Sequence, residues 1–165
     1  GIKHLWRMSV GAALLMAAAA ACAFLANTCR PSGRIAWAED WSRYVEARAR
    51  EEGLALADLR AAEGIAKGQA HLIFDARPAA DYEAGHLPGA FSLPYTEVED
   101  RLLDVQDRLT PAQPIMVYCS GTECDESFLL SRFLKQQGFT NVVLFAGGFG
   151  EWEKAGQPVV KGAAP

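Results

Sequence analysis

An uncharged and almost entirely apolar run occupies residues 8–29 of this 165-residue chain, with Lys3 and Arg7 before it and Arg30 after it. About 20 apolar residues suffice for a helix to span a bilayer, so residues 1–30 predict a signal-anchor helix or a secretory signal peptide. A buried helix of a soluble domain is a third interpretation, disfavoured because such helices are usually shorter and amphipathic. A short basic segment before the first apolar run favours export, so we expect a membrane-anchored protein with an extracytoplasmic domain.

Residues 31–53 predict a short link followed by an amphipathic helix. In this stretch Trp41, Tyr44 and Val45 recur at helical spacing among charged residues. A second helix is predicted over residues 57–66.

Short apolar segments alternate with helical patterns from residue 70 onwards. The predicted strands are 71–74, 91–93, 115–118 and 142–145, and the predicted helices are 79–84, 97–105, 126–137 and a short one containing Trp152. The run at 115–118 is apolar on both faces, as is typical of a strand buried in a parallel sheet. Residues 54–162 therefore predict an α/β domain whose parallel sheet carries helices on both faces.

The charge of the chain argues against a nucleic-acid partner. The net charge of −4 is mild and there is no basic patch with interleaved aromatic residues, so we expect no nucleic-acid partner.

Of the four cysteines, Cys22 and Cys29 lie in or at the edge of the apolar run, and Cys119 and Cys124 lie together in the predicted domain.

Cys119 follows a predicted strand directly and precedes a predicted helix, a place where ligands bind in open α/β sheets. Successive backbone N–H groups of such a loop and the positive end of the helix can stabilise a thiolate, which is the nucleophilic form of cysteine. We therefore expect a nucleophile at Cys119, against the alternative of a buried inert cysteine.

Several motifs in sequence order resemble those of the rhodanese family. They are Asp75-Ala76-Arg77, Asp81-Tyr82, Gly85-His86-Leu87-Pro88-Gly89-Ala90, Val117-Tyr118-Cys119, and Gly147-Gly148 with Trp152. The resemblance implies a parallel five-stranded sheet between helices and a sulfurtransferase or a relative of one. A thiolate stabilised by backbone N–H groups requires no metal, and we expect no cofactor. The resemblance also implies structural roles for a set of motif residues, which are Asp75, Arg77, His86, Gly147 and Gly148.

The loop after Cys119 departs from the family pattern. Residues Ser120, Gly121, Thr122 and Glu123 are the predicted substrate-binding segment. The arginine often found five positions after the nucleophile is replaced by Cys124, and the loop contains carboxylates but no cation. Thiosulfate is therefore expected to be a poor substrate. A related phosphatase activity is excluded, since Asp125 stands where phosphate binding needs arginine.

Cys124 leaves two interpretations open. A second thiol can attack a persulfide or sulfenic acid on Cys119 and close a disulfide, or Cys124 can simply pack under the loop. The leading hypothesis is a sulfurtransferase that passes sulfane sulfur from a small donor through a Cys119 persulfide to a thiol acceptor. The alternatives are a dithiol–disulfide oxidoreductase acting on a redox partner protein, and a non-catalytic binding module.

Overall fold

The computed structural model describes residues 2–30, 43–105 and 109–163. The chain divides into two compact units, Gly1–Glu39 and Asp40–Pro165. The predicted link at 31–38 and the start of the predicted amphipathic helix lie outside the described residues.

The first unit contains helix α1, Ile2–Thr28. Within the described ranges it is the one helix long and apolar enough to cross a membrane, over Gly11–Thr28, and a signal sequence would pass the same test of length and composition. Large apolar side chains on this helix, including Leu14 and Leu15, are more than half exposed. The expected N-terminal apolar helix is therefore present.

The second unit is built around a five-stranded parallel sheet. Its strands are β1 (Ala55–Ala57), β2 (Leu72–Asp75), β3 (Ala90–Ser92), β4 (Ile115–Tyr118) and β5 (Val142–Phe145). Their spatial order is β1-β5-β4-β2-β3, and every neighbouring pair is parallel. β4 lies in the centre, and all four of its residues are buried, so the residue after it reaches the middle of the carboxyl edge.

Helices connect and cover the strands. They are α2 (Tyr44–Glu51), α3 (Leu59–Gly68), α4 (Ala79–Ala84), a 3₁₀ turn (Tyr95–Glu97), α5 (Val98–Val105), α6 (Asp125–Gln136) and α7 (Gly148–Lys154). Because strand side chains alternate between faces, Met116 and Tyr118 join a core with Trp152 of α7, while Ile115 and Val117 join another with Leu130 and Leu134 of α6. Helices on both faces of a parallel sheet confirm the predicted fold class.

The sequence prediction was wrong at the start of the sheet. Residue 57 was assigned to a helix, but Ala57 ends β1, which pairs in register with β5. Asp58 is the N-cap of α3, and its carboxylate accepts a hydrogen bond from the Ala61 N–H at 2.8 Å. This N-cap fixes the first turn two residues later than expected.

Helix α2 packs onto the same unit. Its Val45 and Ala49 are fully buried in a cluster with Phe128 of α6 and Leu144 of β5. The amphipathic pattern of this helix thus has a physical cause, since one face covers the sheet and α6.

Candidate active site

Cys119 lies directly after β4, with only 2 % of its surface exposed. It forms a disulfide with Cys124, and the two Cα atoms are 6.1 Å apart, a separation ordinary for such a bond. Cys124 is the N-cap residue of α6. The loop between the strand and the helix therefore begins and ends at the two bonded cysteines.

A cleft of about 590 Å³ opens over this disulfide. It is lined by both cysteines, by the predicted substrate-binding residues Ser120, Gly121, Thr122 and Glu123, and by Arg77, Pro78, Asp81 and Glu126. The structure thus brings the predicted loop residues together in one cleft at the carboxyl edge of the sheet, where α/β folds bind ligands. Cys22 and Cys29 are free and exposed.

The N-terminal turn of helix α7 forms hydrogen bonds with the loop. The Phe149 N–H donates to the Cys119 carbonyl at 2.7 Å and the Gly150 N–H donates to the Ser120 carbonyl at 2.8 Å. Gly148 has φ +60°, and a Cβ there would lie 2.3 Å from the Cys119 carbonyl oxygen. Gly148 therefore allows the backbone of α7 to approach the loop, whereas a side chain at Gly147 would meet the Glu151 side chain of the same helix.

The backbone N–H groups of the loop remain available. Within the described part of the chain, those of residues 120–123 donate to no backbone carbonyl, whereas the Cys124 N–H donates to the Gly121 carbonyl at 3.1 Å. The Thr122 carbonyl accepts from the Val45 N–H of α2 at 3.4 Å. The loop carbonyls are thus engaged by two flanking helices, while the N–H groups of residues 120–123 are not used in backbone hydrogen bonds within the described residues.

Asp75 and Arg77 form a buried ion pair beside the site. Arg77 donates from Nη2 to Asp75 Oδ2 at 2.6 Å and to the Gly85 carbonyl at 2.7 Å, and its guanidinium lies 4.2 Å from the Phe149 ring centre. Burial alone would lower the pKa of Arg77, but the hydrogen bonds and charge of Asp75 outweigh it and raise that pKa. Arg77 lines the cleft, but its charge is compensated by Asp75.

Tyr118 completes this network. Its hydroxyl donates to Asp75 Oδ2 at 2.6 Å and accepts from the Leu87 N–H at 3.1 Å. Burial and the negative charge of Asp75 raise its pKa well above the usual range. Tyr118 immediately precedes Cys119, so the network anchors the end of β4 on which the cysteine stands.

His86 is held within the scaffold. Its Nδ1 lies 2.8 Å from the Tyr82 carbonyl, its ring stacks on the Tyr82 ring at 3.7 Å, and its backbone pairs with Val160. His86 is buried and does not line the cleft. It fixes the segment before β3 and brings the C-terminal segment against it.

Two contacts at the site could not be anticipated from the motifs. Glu126 Oε2 lies 2.7 Å from Cys124 Sγ and 3.8 Å from Cys119 Sγ, and Arg48 of α2 forms an ion pair with Asp125 at 3.2 Å. The sequence showed the acids of the loop, but which acid faces the sulfurs depends on where α6 begins. The contact of Arg48 with Asp125 could not be predicted, because Arg48 is distant in sequence and lies on a helix with many charged residues.

The donor atoms of Cys119, Cys124 and Glu126 lie within 4.8 Å of one another, which makes them the one group of three such side chains found among the described residues. Two of these donors are joined in the disulfide, so they are not thiolates here. Three donors also fall short of the four of a closed structural zinc site.

Comparisons with known proteins place this domain in a family. The model of the Rhodanese-like domain family matches residues 56–155. The chain is 38% identical over 91 residues to the HTH-type transcriptional regulator Rv0324 of Mycobacterium tuberculosis, covering 55% of this chain and 38% of the relative. It is 30% identical over 86 residues to the adenylyltransferase and sulfurtransferase UBA4 of Meyerozyma guilliermondii, covering 50% and 20% respectively. The chain thus spans well under half the length of these relatives.

Solved structures share the fold. The BH2092 protein of Bacillus halodurans superposes with a TM-score of 0.58 at 25% identity, covering 72% of this chain and 85% of that one. The thiosulfate sulfurtransferase of Pseudomonas aeruginosa gives a TM-score of 0.59 at 21% identity, covering 74% of this chain and 23% of that one. The second likeness concerns the fold alone.

Proposed function

The chain belongs to the rhodanese-like domain family, and from that membership we propose that it is a sulfurtransferase whose sulfur carrier is Cys119. The observation that carries the proposal is the position of this sulfur, in a cleft at the end of the central strand β4, under a loop with free N–H groups. Free amide donors and the N-terminal end of α6 favour an anionic sulfur. They serve the thiolate and the persulfide anion alike.

The reaction transfers one sulfur atom from a donor to Cys119 and then from Cys119 to an acceptor. The Cys119 thiolate attacks the outer sulfur of a donor R–S–S⁻, the donor S–S bond breaks, and RS⁻ leaves with the electron pair. The attacked sulfur remains on Cys119 as a persulfide. An acceptor thiolate then attacks that outer sulfur, and the Cys119 thiolate is restored as the leaving group.

The charges of the cleft favour a particular class of donor. Among the described residues, Asp81, Glu123 and Glu126 line it, and the one lining cation in this set, Arg77, is paired with Asp75. A compact dianion such as thiosulfate finds no unpaired positive group among the lining residues, whereas a persulfide or a thiol carries less negative charge. We therefore assign low-charge sulfane donors and thiol acceptors, or a redox partner protein, as the partners of the site.

A dithiol–disulfide exchange is the second candidate function, favoured by the bond between Cys119 and Cys124. In that reaction the two thiols are oxidised to the disulfide and a substrate disulfide is reduced to two thiols. Cys119, in its bed of amide donors, is the attacking thiol and Cys124 the resolving thiol.

The placement in the cell belongs to the proposal as well. Helix α1 is apolar, and its large apolar side chains are exposed. Exposing them to water would be unfavourable. We place it in a membrane with the rhodanese-like domain on the extracytoplasmic side, where a disulfide persists.

Mass spectrometry of the full chain tests the proposed function. A full chain carrying Cys124→Ser, in which the disulfide cannot close and the persulfide accumulates, is reduced, freed of reductant and treated with sodium tetrasulfide, and we expect one added sulfur atom on the peptide containing Cys119. Cyanide should remove this sulfur as thiocyanate. Cys119→Ser should abolish both signals, whereas Cys29→Ser, which removes an exposed free thiol elsewhere, should leave them unchanged.

The outcomes separate the candidates. If the Cys124→Ser chain gains no sulfur on Cys119 while the wild-type chain shows a reproducible two-electron potential for the cysteine pair, the protein is a dithiol oxidoreductase. A chain with neither signal contradicts both enzymatic proposals and leaves a binding module.

A further inference from the structure

Glu126 is the carboxylate that faces both sulfur atoms of the site. It lies in the first turn of α6, partly buried, with Oε2 at 2.7 Å from Cys124 Sγ and 3.8 Å from Cys119 Sγ. A carboxylate oxygen accepts a hydrogen bond, and a thiol can donate one. In the reduced state, therefore, this oxygen is positioned to receive the proton of the Cys124 thiol.

Neighbouring charges do not draw Glu126 away from the sulfurs. The nearby cation Arg48 pairs with Asp125 at 3.2 Å. Among the ion pairs formed by the described residues, Glu126 takes part in none. An acid in the first turn of a helix is also favoured by the helix dipole, and Asp125 already supplies one. Asp125 therefore pairs with Arg48 and interacts with the helix dipole, whereas Glu126 faces the two sulfur atoms.

We propose that Glu126 is the proton acceptor that activates Cys124 to resolve a persulfide on Cys119. The proposal rests on the proposed function, because it acts on the persulfide formed there. It makes Glu126 a catalytic residue, since its carboxylate contacts a reacting sulfur. The product is hydrosulfide, so the site releases the transferred sulfur in reduced form.

The step balances without another reactant. The Cys124 thiol gives its proton to Glu126 and its sulfur attacks Sγ of Cys119. The bond between Cys119 Sγ and the outer sulfur breaks, and that sulfur leaves with the electron pair as hydrosulfide, which takes the proton from Glu126. In this step the Cys124 sulfur is oxidised from the thiolate to the disulfide level and the outer sulfur is reduced from the persulfide to the hydrosulfide level, while the Cys119 sulfur keeps its oxidation state. A dithiol reductant then restores the pair.

The size of the effect is limited by the chemistry of thiols. An unassisted cysteine is only a few per cent thiolate at pH 7. Loss of the proton acceptor should therefore slow disulfide closure at pH 7 by about tenfold, below the 10²–10⁴ range of general acid–base catalysis. In alkaline solution the thiol ionises without help, and the difference should disappear.

The experiment measures closure in single turnover on the full chain. Reduced wild type, Glu126→Gln and Asp125→Asn are mixed with sodium tetrasulfide and quenched in acid at intervals, and the fractions of persulfide and disulfide are read by mass spectrometry. Released sulfide is assayed in parallel. We expect Glu126→Gln to load sulfur on Cys119 normally but to close about tenfold more slowly at pH 7, and within about twofold of wild type at pH 9.5.

Asp125→Asn is the matched control, since it removes the same charge one residue away and should close within about twofold of wild type. Equal closure rates for Glu126→Gln and wild type at pH 7 would overturn the proposal. Faster closure in the variant would also overturn it, because the carboxylate would then act by repelling the Cys124 thiolate. A Cys124→Ser chain tests the underlying function separately. It should accumulate the persulfide, and a failure to load sulfur there would contradict the sulfurtransferase itself.

Discussion

Replacing Tyr118 by phenylalanine tests the buried network under the nucleophile. The ring of Tyr118 is fully buried and phenylalanine preserves it, so the change removes only a hydroxyl. That hydroxyl donates to the Asp75 carboxylate at 2.6 Å and accepts from the Leu87 N–H at 3.1 Å. A lost hydrogen bond to a charged group costs about 1.5–3 kcal/mol, and a buried N–H left unpaired costs about 1–3 kcal/mol.

The free energy of unfolding should therefore fall by about 3–5 kcal/mol near pH 8. This is a large share of the roughly 5–15 kcal/mol available to a domain. Guanidinium unfolding of the full chain, followed by the fluorescence of the buried Trp152, measures the loss. Tyr95→Phe is the control, because Tyr95 is only partly buried against the core. This substitution should change the free energy of unfolding by less than about 0.5 kcal/mol.

The effect of pH has a definite sign. The pKa of Tyr118 is raised above its ordinary value of 10.0, so above about pH 10 the unfolded chain loses a proton that the folded chain keeps. The stability contributed by the hydroxyl is fully present below pH 10 and declines as the pH rises further. The difference between wild type and Tyr118→Phe should then shrink by about 1.4 kcal/mol per pH unit.

Two results would refute this reasoning. One is a stability loss below about 1 kcal/mol at pH 8, which would mean that the hydrogen bonds of the network contribute little. The other is a wild-type advantage that stays constant between pH 10 and 11, which would mean that the tyrosine proton is not held by folding.

Three further changes probe the loop and the N-terminal helix. Gly148→Ala should destabilise the fold by more than the roughly 1–2 kcal/mol of a left-handed alanine and slow sulfur loading on Cys119, whereas Gly156→Ala, at φ +70° with open space, should show the backbone cost alone in guanidinium unfolding. Thiosulfate turnover, measured as thiocyanate formed with cyanide, should be poor in wild type and rise in Cys124→Arg; a high wild-type rate would contradict the charge argument. The full chain should sediment with membranes while a chain beginning at Glu39 stays in the supernatant, and a full chain found in the supernatant would show that residues 8–29 are not an anchor.

Most of the fold could be read from the sequence because buried strands leave a strong signal. The runs at Leu72–Asp75, Ile115–Tyr118 and Val142–Phe145 are short and apolar apart from Asp75, and their alternation with helices is enough to predict a parallel sheet. β1 escaped prediction because its sequence is Ala-Leu-Ala, residues that favour helices. Its strand conformation comes from pairing with β5, a long-range contact that local propensity does not contain.

The site divides in the same way. The position of Cys119 at the carboxyl edge followed from the end of a recognisable strand. The contact of Glu126 with the sulfurs did not, because a shift of α6 by one residue would turn that side chain by about 100°. The approach of Arg48 to Asp125 required the packing of α2 on α6, which no motif announces.

The pairing of β1 with β5 and the grip of α7 on the Cys119 loop also set an order of events during synthesis. The first strand of the domain must wait for the last strand to leave the ribosome, and the Phe149 N–H that binds the Cys119 carbonyl is made later still. Contacts between distant parts of a chain form slowly. The hydrogen bonds that α7 donates to the carbonyls of Cys119 and Ser120 can therefore form only after the rest of the domain has been synthesised, and a nascent chain that ends before α7 lacks them.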